Sequence, residues 1–487
     1  MRNSALVLIL ATGILVLCAI STAAQTAQAT PPPPTAPHST IFPKPVEKNL
    51  PNGLRVIVIP RTEMPLVTAQ LLIRSGAEVD PANLAGVTEM AAELLTRGTT
   101  TKSATQIAEA IEALGGTLNG VAGWDAATVT TNVMSTQIRP AMEVMADVVR
   151  NPSFKDEEID RARRQAMSGF RNLFATPGTV ARLAAARVVF GDSPYGHSVA
   201  GTPESLPRIK RDDLVNIHST YYRPDNAILV IGGDIKPADG FALAEKYFGN
   251  WKNPQSALPK LQITTPESTT NGRRVVVIDQ PAAGQAAVLA VRTAISRDNP
   301  DYFRGIVANA VLSGYSGRLN WEIRVKRGLS YGASSSLDMR RSTGSFMASA
   351  QTKNQSGAEV ASLALAEIGK LATGDLPDSE LSTRKASLLG GFARGMETTN
   401  GIVNQFASLA MYGVPLDEIN RYTANVQAVK AADVKAFAAS RLNTASTSVV
   451  IVGNAKDFLP DLKKQFPDVE VIPVGELDLN SASLRKK

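Results

Sequence analysis

Apolar and polar positions change period along this chain in an order that occurs twice. Residues 54–60 alternate as a strand does, and residues 67–73 form a second short apolar run. Helical spacing follows around Glu89, in the stretch 86–99, and again over 103–114, where Gly115 and Gly116 predict a stop because glycine adopts the left-handed cap conformation at little cost. Residues 117–134, rich in Thr, Val and Ala, predict a strand pair. Amphipathic helices are expected over 139–149 and 156–172.

The second half restarts the order. Strands are expected at 274–279 and 286–294, helices at 300–312 and 317–325, strands at 331–337 and 344–351, and a helix at 357–371. The repeated order β, β, α, α, β, β, α predicts an internal duplication. It predicts an α+β fold of two homologous domains, each a mostly antiparallel sheet with helices packed on one face. Residues 251–272, rich in Pro, Ser and Thr, fit a bridge between them. The expected organisation is 44–252 for the first domain, 253–272 for the linker and 273–487 for the second.

The N-terminal end reads differently. One Arg, an apolar run from Ala5 to Ile20 and Ala27-Gln28-Ala29 as a cleavage site predict a secretory signal peptide over 1–29. An exported, periplasmic location follows, with no membrane span once the signal is removed; an uncleaved anchor is the alternative. Pro31 to Pro34 open an extended, disordered leader over 30–43. The single cysteine, Cys18, lies inside the signal, so the mature chain can form no disulfide. The net charge of +7 is dispersed. Arg161, Arg163 and Arg164, and likewise Arg340 and Arg341, read as solvated faces, and no basic–aromatic interleaving of the nucleic-acid kind occurs.

Several ordered motifs carry chemistry. The stretch Gly86-Val87-Thr88-Glu89-Met90-Ala91-Ala92-Glu93 resembles the metal helix of the pitrilysin/insulinase family, the inverted zincins, whose signature is H-x-x-E-H. In that register the two histidine positions hold Glu89 and Glu93, and the general-base position holds Ala92. Aligning Asp156-Glu157-Glu158-Ile159-Asp160 with the family pattern puts the third ligand position at Gly169. Positions i and i+4 share a helix face, so Glu89 and Glu93 stand together, but two carboxylates alone make a poor zinc site. The plainer reading is that they are hydrogen-bonded or solvated residues of a former cleft. The three histidines, His38, His197 and His218, share no ligand-type spacing.

The second half is similar to the family's C-terminal signature: Leu312-Ser313-Gly314-Tyr315-Ser316-Gly317-Arg318, then Glu322-Ile323-Arg324 and Gly328-Leu329-Ser330-Tyr331. The resemblance implies that Arg324 and Tyr331 can hold a peptide carbonyl and the oxyanion that forms on it. Arg327 is the rival for the arginine role. The structural alternative makes Arg324 a surface ion pair and Tyr331 a core residue. Gly115-Gly116-Thr117-Leu118-Asn119 resembles the family's substrate-binding edge strand, G-G-x-x-N-A-x-T; Asn119 matches, while Gly120, Ala122 and Gly123 depart.

The resemblance implies a mitochondrial-processing-peptidase-like fold. It also implies a non-catalytic subunit of an exported zinc metalloendopeptidase heterodimer, with no cofactor on this chain, zinc on a homologous partner carrying H-x-x-E-H, and a peptide as substrate. A peptide-binding or scaffold protein without a proteolytic role is the alternative, and an active zinc peptidase on its own is the third.

Overall fold

Central strands made of unbroken apolar runs need cover on both faces, and this requirement shapes the whole molecule. The computed structural model describes residues 42–260, 263 and 272–486. The expected signal peptide, nearly all of the leader and half of the bridge lie outside the described residues.

Two six-stranded sheets form. The first holds β1 (Val46–Asn49), β2 (Arg55–Pro60), β3 (Leu66–Ile73), β4 (Thr117–Ala122), β5 (Ala127–Met134) and β6 (Ala227–Gly233) in the order β1-β2-β6-β3-β5-β4. The second holds β7 (Val275–Asp279), β8 (Ala286–Thr293), β9 (Ser330–Met339), β10 (Gly344–Thr352), β11 (Ser448–Gly453) and β12 (Val469–Pro473) in the order β12-β7-β11-β8-β10-β9. Five strands correspond one to one, with β2 parallel to β6 as β7 is to β11, and the other three pairings antiparallel. Only the outermost strands differ. β1 precedes its sheet and pairs antiparallel, whereas β12 follows its sheet and pairs parallel. The expected duplication and the α+β class with mostly antiparallel sheets are what the fold displays.

Alternate residues of each central strand enter different cores. Val56, Val58, Leu71, Leu229 and Ile231 meet helices of their own half, including Ile138–Arg150 and Pro237–Phe248. Their neighbours Ile57, Ile59, Leu72, Ile228 and Val230 point the other way and are covered by the helix Thr399–Met411 of the second half, through Ile402, Val403 and Phe406. The second sheet mirrors this. Val275, Val288 and Ile451 face the helices Tyr302–Leu312 and Gly357–Thr373. Val276, Leu289 and Val450 face the helix Pro177–Phe190 of the first half, through Val180, Ala181 and Ala184. Each half therefore lends one helix to the back of the other's sheet. Each such aliphatic residue contributes roughly 1.5–3 kcal/mol when buried, so a bare back face would be costly.

A polar hairpin tip completes the junction. Arg340 and Arg341 are not solvated faces, as their charge had led us to expect. Arg340 is 6% exposed. Its guanidinium lies 4.2 Å from the Trp124 ring, 5.0 Å from Phe190 and 4.9 Å from Tyr195, and it pairs with Asp338. Arg341 donates through its backbone N–H to Asp125 Oδ2 (2.9 Å) and through Nη1 to Glu78 Oε1 (3.2 Å). Burial pushes the Glu78 carboxyl up to about 8 despite that arginine. Aromatic faces and carboxylates of the first half thus desolvate two arginines of the second.

Candidate functional site

The helix that resembles a metal helix is short, Val87–Leu94, followed by a tight turn over Leu95–Arg97. Gly86 enters it at φ 93°, a left-handed conformation that suits glycine. The orphan N–H groups of its first turn are met from outside the helix. Asp80 accepts from Gly86 N (2.7 Å), Thr88 N (3.1 Å) and Thr88 Oγ1 (2.6 Å). His197 packs behind this cap, 5% exposed, with its ring 5.4 Å from Trp124 and Nε2 3.5 Å from Asp80 Oδ2. Of the two, Asp80 stands only six residues before Gly86, and His197 comes from far along the chain.

Along the helix, Ala92 is fully buried, and its carbonyl presses against the edge strand β4: a Cβ added at Gly120 would lie 2.3 Å from Ala92 O. That contact is a physical reason for the glycine where the family pattern has a larger residue. Glu89 is half-buried and accepts a hydrogen bond from the backbone N–H of Ala122. Ala122 opposes Ala127, whose own N–H goes to Ser75, so the Ala122 N–H points to the free side of the edge strand. It is one of the donors that an added strand would use, and Glu89 occupies it. Burial raises the Glu89 carboxyl above its ordinary range; the Ala122 bond opposes this, while Glu93 and Asp80 add to it. Glu93 stands close enough to couple to Glu89 and lies 3.8 Å from Arg97. Gly169 is exposed on the helix Asp156–Phe174, with open space where a side chain would be. Two of the four positions, Ala92 and Gly169, thus carry no side chain able to ligate. Asn119 lies exposed on the same edge strand β4.

The second half presents its residues differently. The short helix Arg318–Asn320 widens into a π-helical turn, Trp321–Lys326, a local irregularity often found at functional positions. Arg327 pairs with Glu322 (2.9 Å) and Glu359 (3.0 Å), and Lys326 with Glu322 (3.1 Å). Arg324 has no carboxylate partner among the described residues; its guanidinium lies 5.0 Å from the ring of Tyr315. Tyr331, at the start of the edge strand β9, is 89% exposed. The two plainer alternatives, a surface ion pair and a core tyrosine, do not describe these residues, and the rival Arg327 is already engaged. No hydrogen bond or ring contact joins Arg324 to Tyr331. Around them Tyr315, Trp321 and Val325 are exposed as well, an apolar patch that the sequence reading did not single out. His218 stacks on Tyr222 at 4.9 Å and its Nε2 faces Val149 O (2.7 Å).

Comparison with known proteins settles the lineage. A family model described as insulinase, peptidase family M16, matches residues 55–202, and one described as the peptidase M16 inactive domain matches 208–388. This chain belongs to the insulinase peptidase family, M16. An uncharacterized zinc protease of Mycobacterium leprae is 27% identical over 354 residues, 72% of this chain and 79% of that protein. An uncharacterized zinc protease of Streptomyces coelicolor is 24% identical over 84% of this chain and 89% of its own length. Among solved structures, a peptidase M16 inactive domain from Pseudomonas fluorescens superposes with a TM-score of 0.78 at 25% identity, covering 84% of this chain and 98% of that one. A Helicobacter pylori protease shares the fold, with a TM-score of 0.79 at 21% identity over 85% of this chain and 100% of the other.

The zinc that M16 lineage implies for the first helix does not fit the residues present. Glu89 is committed to a backbone N–H, Ala92 and Gly169 offer no donor, and Glu93 remains with one arginine neighbour. Among the described residues, no three His, Cys, Asp or Glu side chains are grouped to hold a metal ion.

Proposed function

We propose that this M16 chain is the non-catalytic subunit of an exported zinc metalloendopeptidase heterodimer. It closes against a homologous subunit that carries H-x-x-E-H, and it presents Arg324 and Tyr331 to a peptide held at the partner's zinc. The observation that carries this reading is the contrast in pairing. The former metal helix is satisfied within its own fold, while the side chains of Arg324, half-buried beside Tyr315, and of Tyr331, exposed, have no polar partner among the described residues. An arginine fork and a phenol are suitable donors to a peptide carbonyl and to the oxyanion formed from it, where charge develops in the transition state. The relatives described as zinc proteases support a proteolytic setting.

The test is reconstitution. The chain is purified alone and together with its partner, and bound zinc and peptide cleavage are measured. The pair should cleave and the lone chain should not; cleavage by the lone chain, abolished by a chelator, would sink the proposal. The occupied Ala122 N–H favours a second reading, a scaffold without a proteolytic role, because it removes a donor from the edge where a peptide strand would add. A complex that forms with a partner bearing H-x-x-E-H, yet cleaves no faster than that partner alone, selects the scaffold.

A further inference from the structure

The helix that the first half lends to the second sheet does not fill the space above β9 and β10. Two cavities remain beside it. One, of about 470 Å³, lies against Val189, Phe190, Val291 and Met347. The other, of about 210 Å³, lies beside Tyr331 and Gln351. Arg182, exposed on that helix, lines both. No carboxylate lies within ion-pair distance of it among the described residues; its one recorded hydrogen bond is long, 3.5 Å to Thr179 Oγ1 of its own helix. The other arginine of the larger cavity's wall, Arg340, is already paired with Asp338 and packed among three aromatic rings. The uncompensated charge at this place is therefore a single arginine beside a mostly apolar hollow.

The larger cavity has the size of a small-molecule site. Its lining is mostly apolar surface, with Ser198, Ser336 and Ser345 among its polar groups, so a small hydrophilic anion such as phosphate would leave most of the hollow unfilled. An arginine fork matches a carboxylate in two parallel hydrogen bonds, and these strengthen as an apolar body displaces water around them. We propose that this cavity binds a carboxylate carried on an apolar body, with the carboxylate on Arg182 and the body against Val189, Val291 and Met347. Such a ligand is either the free C-terminus of a peptide ending in large apolar residues or a medium-chain fatty acid. The site belongs to the lone chain and does not rest on the partnership proposed above.

Calorimetric titration of the full chain tests this with four probes: N-acetyl-Phe-Leu, its C-terminal amide, decanoate and decanol. At least one acid should bind with a Kd below about 1 mM and at least tenfold more tightly than its uncharged counterpart. Arg182→Gln should remove that discrimination, whereas Arg182→Lys should keep part of it. Ala186→Trp, which fills the cavity, should weaken acid and neutral probes alike. Arg182 is exposed, so its variants retain the fold, which circular dichroism verifies. Tighter binding of the peptide acid assigns the site to chain ends, and tighter binding of decanoate assigns it to fatty acids. Equal affinity for acid and uncharged counterpart, acid binding unchanged by Arg182→Gln, or no binding by either acid at millimolar concentration overturns the proposal.

Discussion

The helix Val87–Leu94 and the turn Trp321–Lys326 occupy the two halves of a duplicated fold, and they treat their polar groups in opposite ways. In the first half Asp80 caps the helix, Glu89 holds the edge of β4, and Ala92 presses on Gly120, while Glu93 keeps Arg97 beside it. In the second half Glu322 and Glu359 neutralise Arg327, and Glu322 also takes Lys326, but Arg324 has only a tyrosine ring beside it and Tyr331 stands in solvent. A site that decays without replacement leaves unsatisfied groups. Here the first region is satisfied and the second is not.

Five substitutions test that division. The largest effect is expected at Gly120→Val, where the new side chain meets the Ala92 carbonyl; overpacking of this kind costs about 3 kcal/mol. Denaturant unfolding measures it, and an unchanged midpoint would break the picture of a helix locked to its edge strand. Next, Arg324→Ala and Tyr331→Phe should leave the melting temperature of the lone chain unaltered while each slows peptide cleavage by the assembled pair at least tenfold, about 1.4 kcal/mol of transition-state stabilisation. Normal rates in both variants would reduce the second region to surface.

A pH series addresses Glu89. Its folded-state pKa is raised, so the folded chain holds that proton more tightly than the unfolded one. Its contribution to stability is complete below the unfolded carboxylate value of about 4.3 and is lost as pH rises through the raised folded value. Glu89→Gln should flatten the stability profile over that window, by at most about 1.4 kcal/mol per pH unit, the limit for one proton. A profile as steep as the wild type's would show that Glu89 ionises as freely as an exposed residue. The smallest effect belongs to Arg327→Ala, which should leave cleavage by the pair within about twofold because its surface ion pairs are screened. A loss equal to that of Arg324→Ala would hand the role to Arg327.

Much of this was legible in the chain itself. Period changes, the Gly115-Gly116 stop and the repeated element order disclosed the duplicated α+β halves, and the frame at Glu89, Ala92, Glu93 and Gly169 showed its resemblance to the family's metal helix together with the substitutions in it. What escaped were partners supplied from far along the sequence. His197, behind the Asp80 cap, comes from more than a hundred residues on. Arg340 and Arg341 looked like hydrated charge because nothing near them in sequence announces Trp124, Phe190 and Tyr195. The helices Pro177–Phe190 and Thr399–Met411 have apolar residues whose destination depends on which sheet needs cover, and local periodicity carries no such address.

The exchanged helices also bear on the history and integrity of the chain. A polypeptide whose halves each complete the other's core has the construction of a swapped dimer whose two copies were joined end to end. The covalent bridge over 253–272 then sets only the local concentration of one half around the other. A single proteolytic cut there leaves two fragments held by interlocked hydrophobic cores, migrating as one particle under native conditions and parting only in denaturant. By the same logic, either fragment produced alone exposes a bare sheet face and seeks a second copy to cover it.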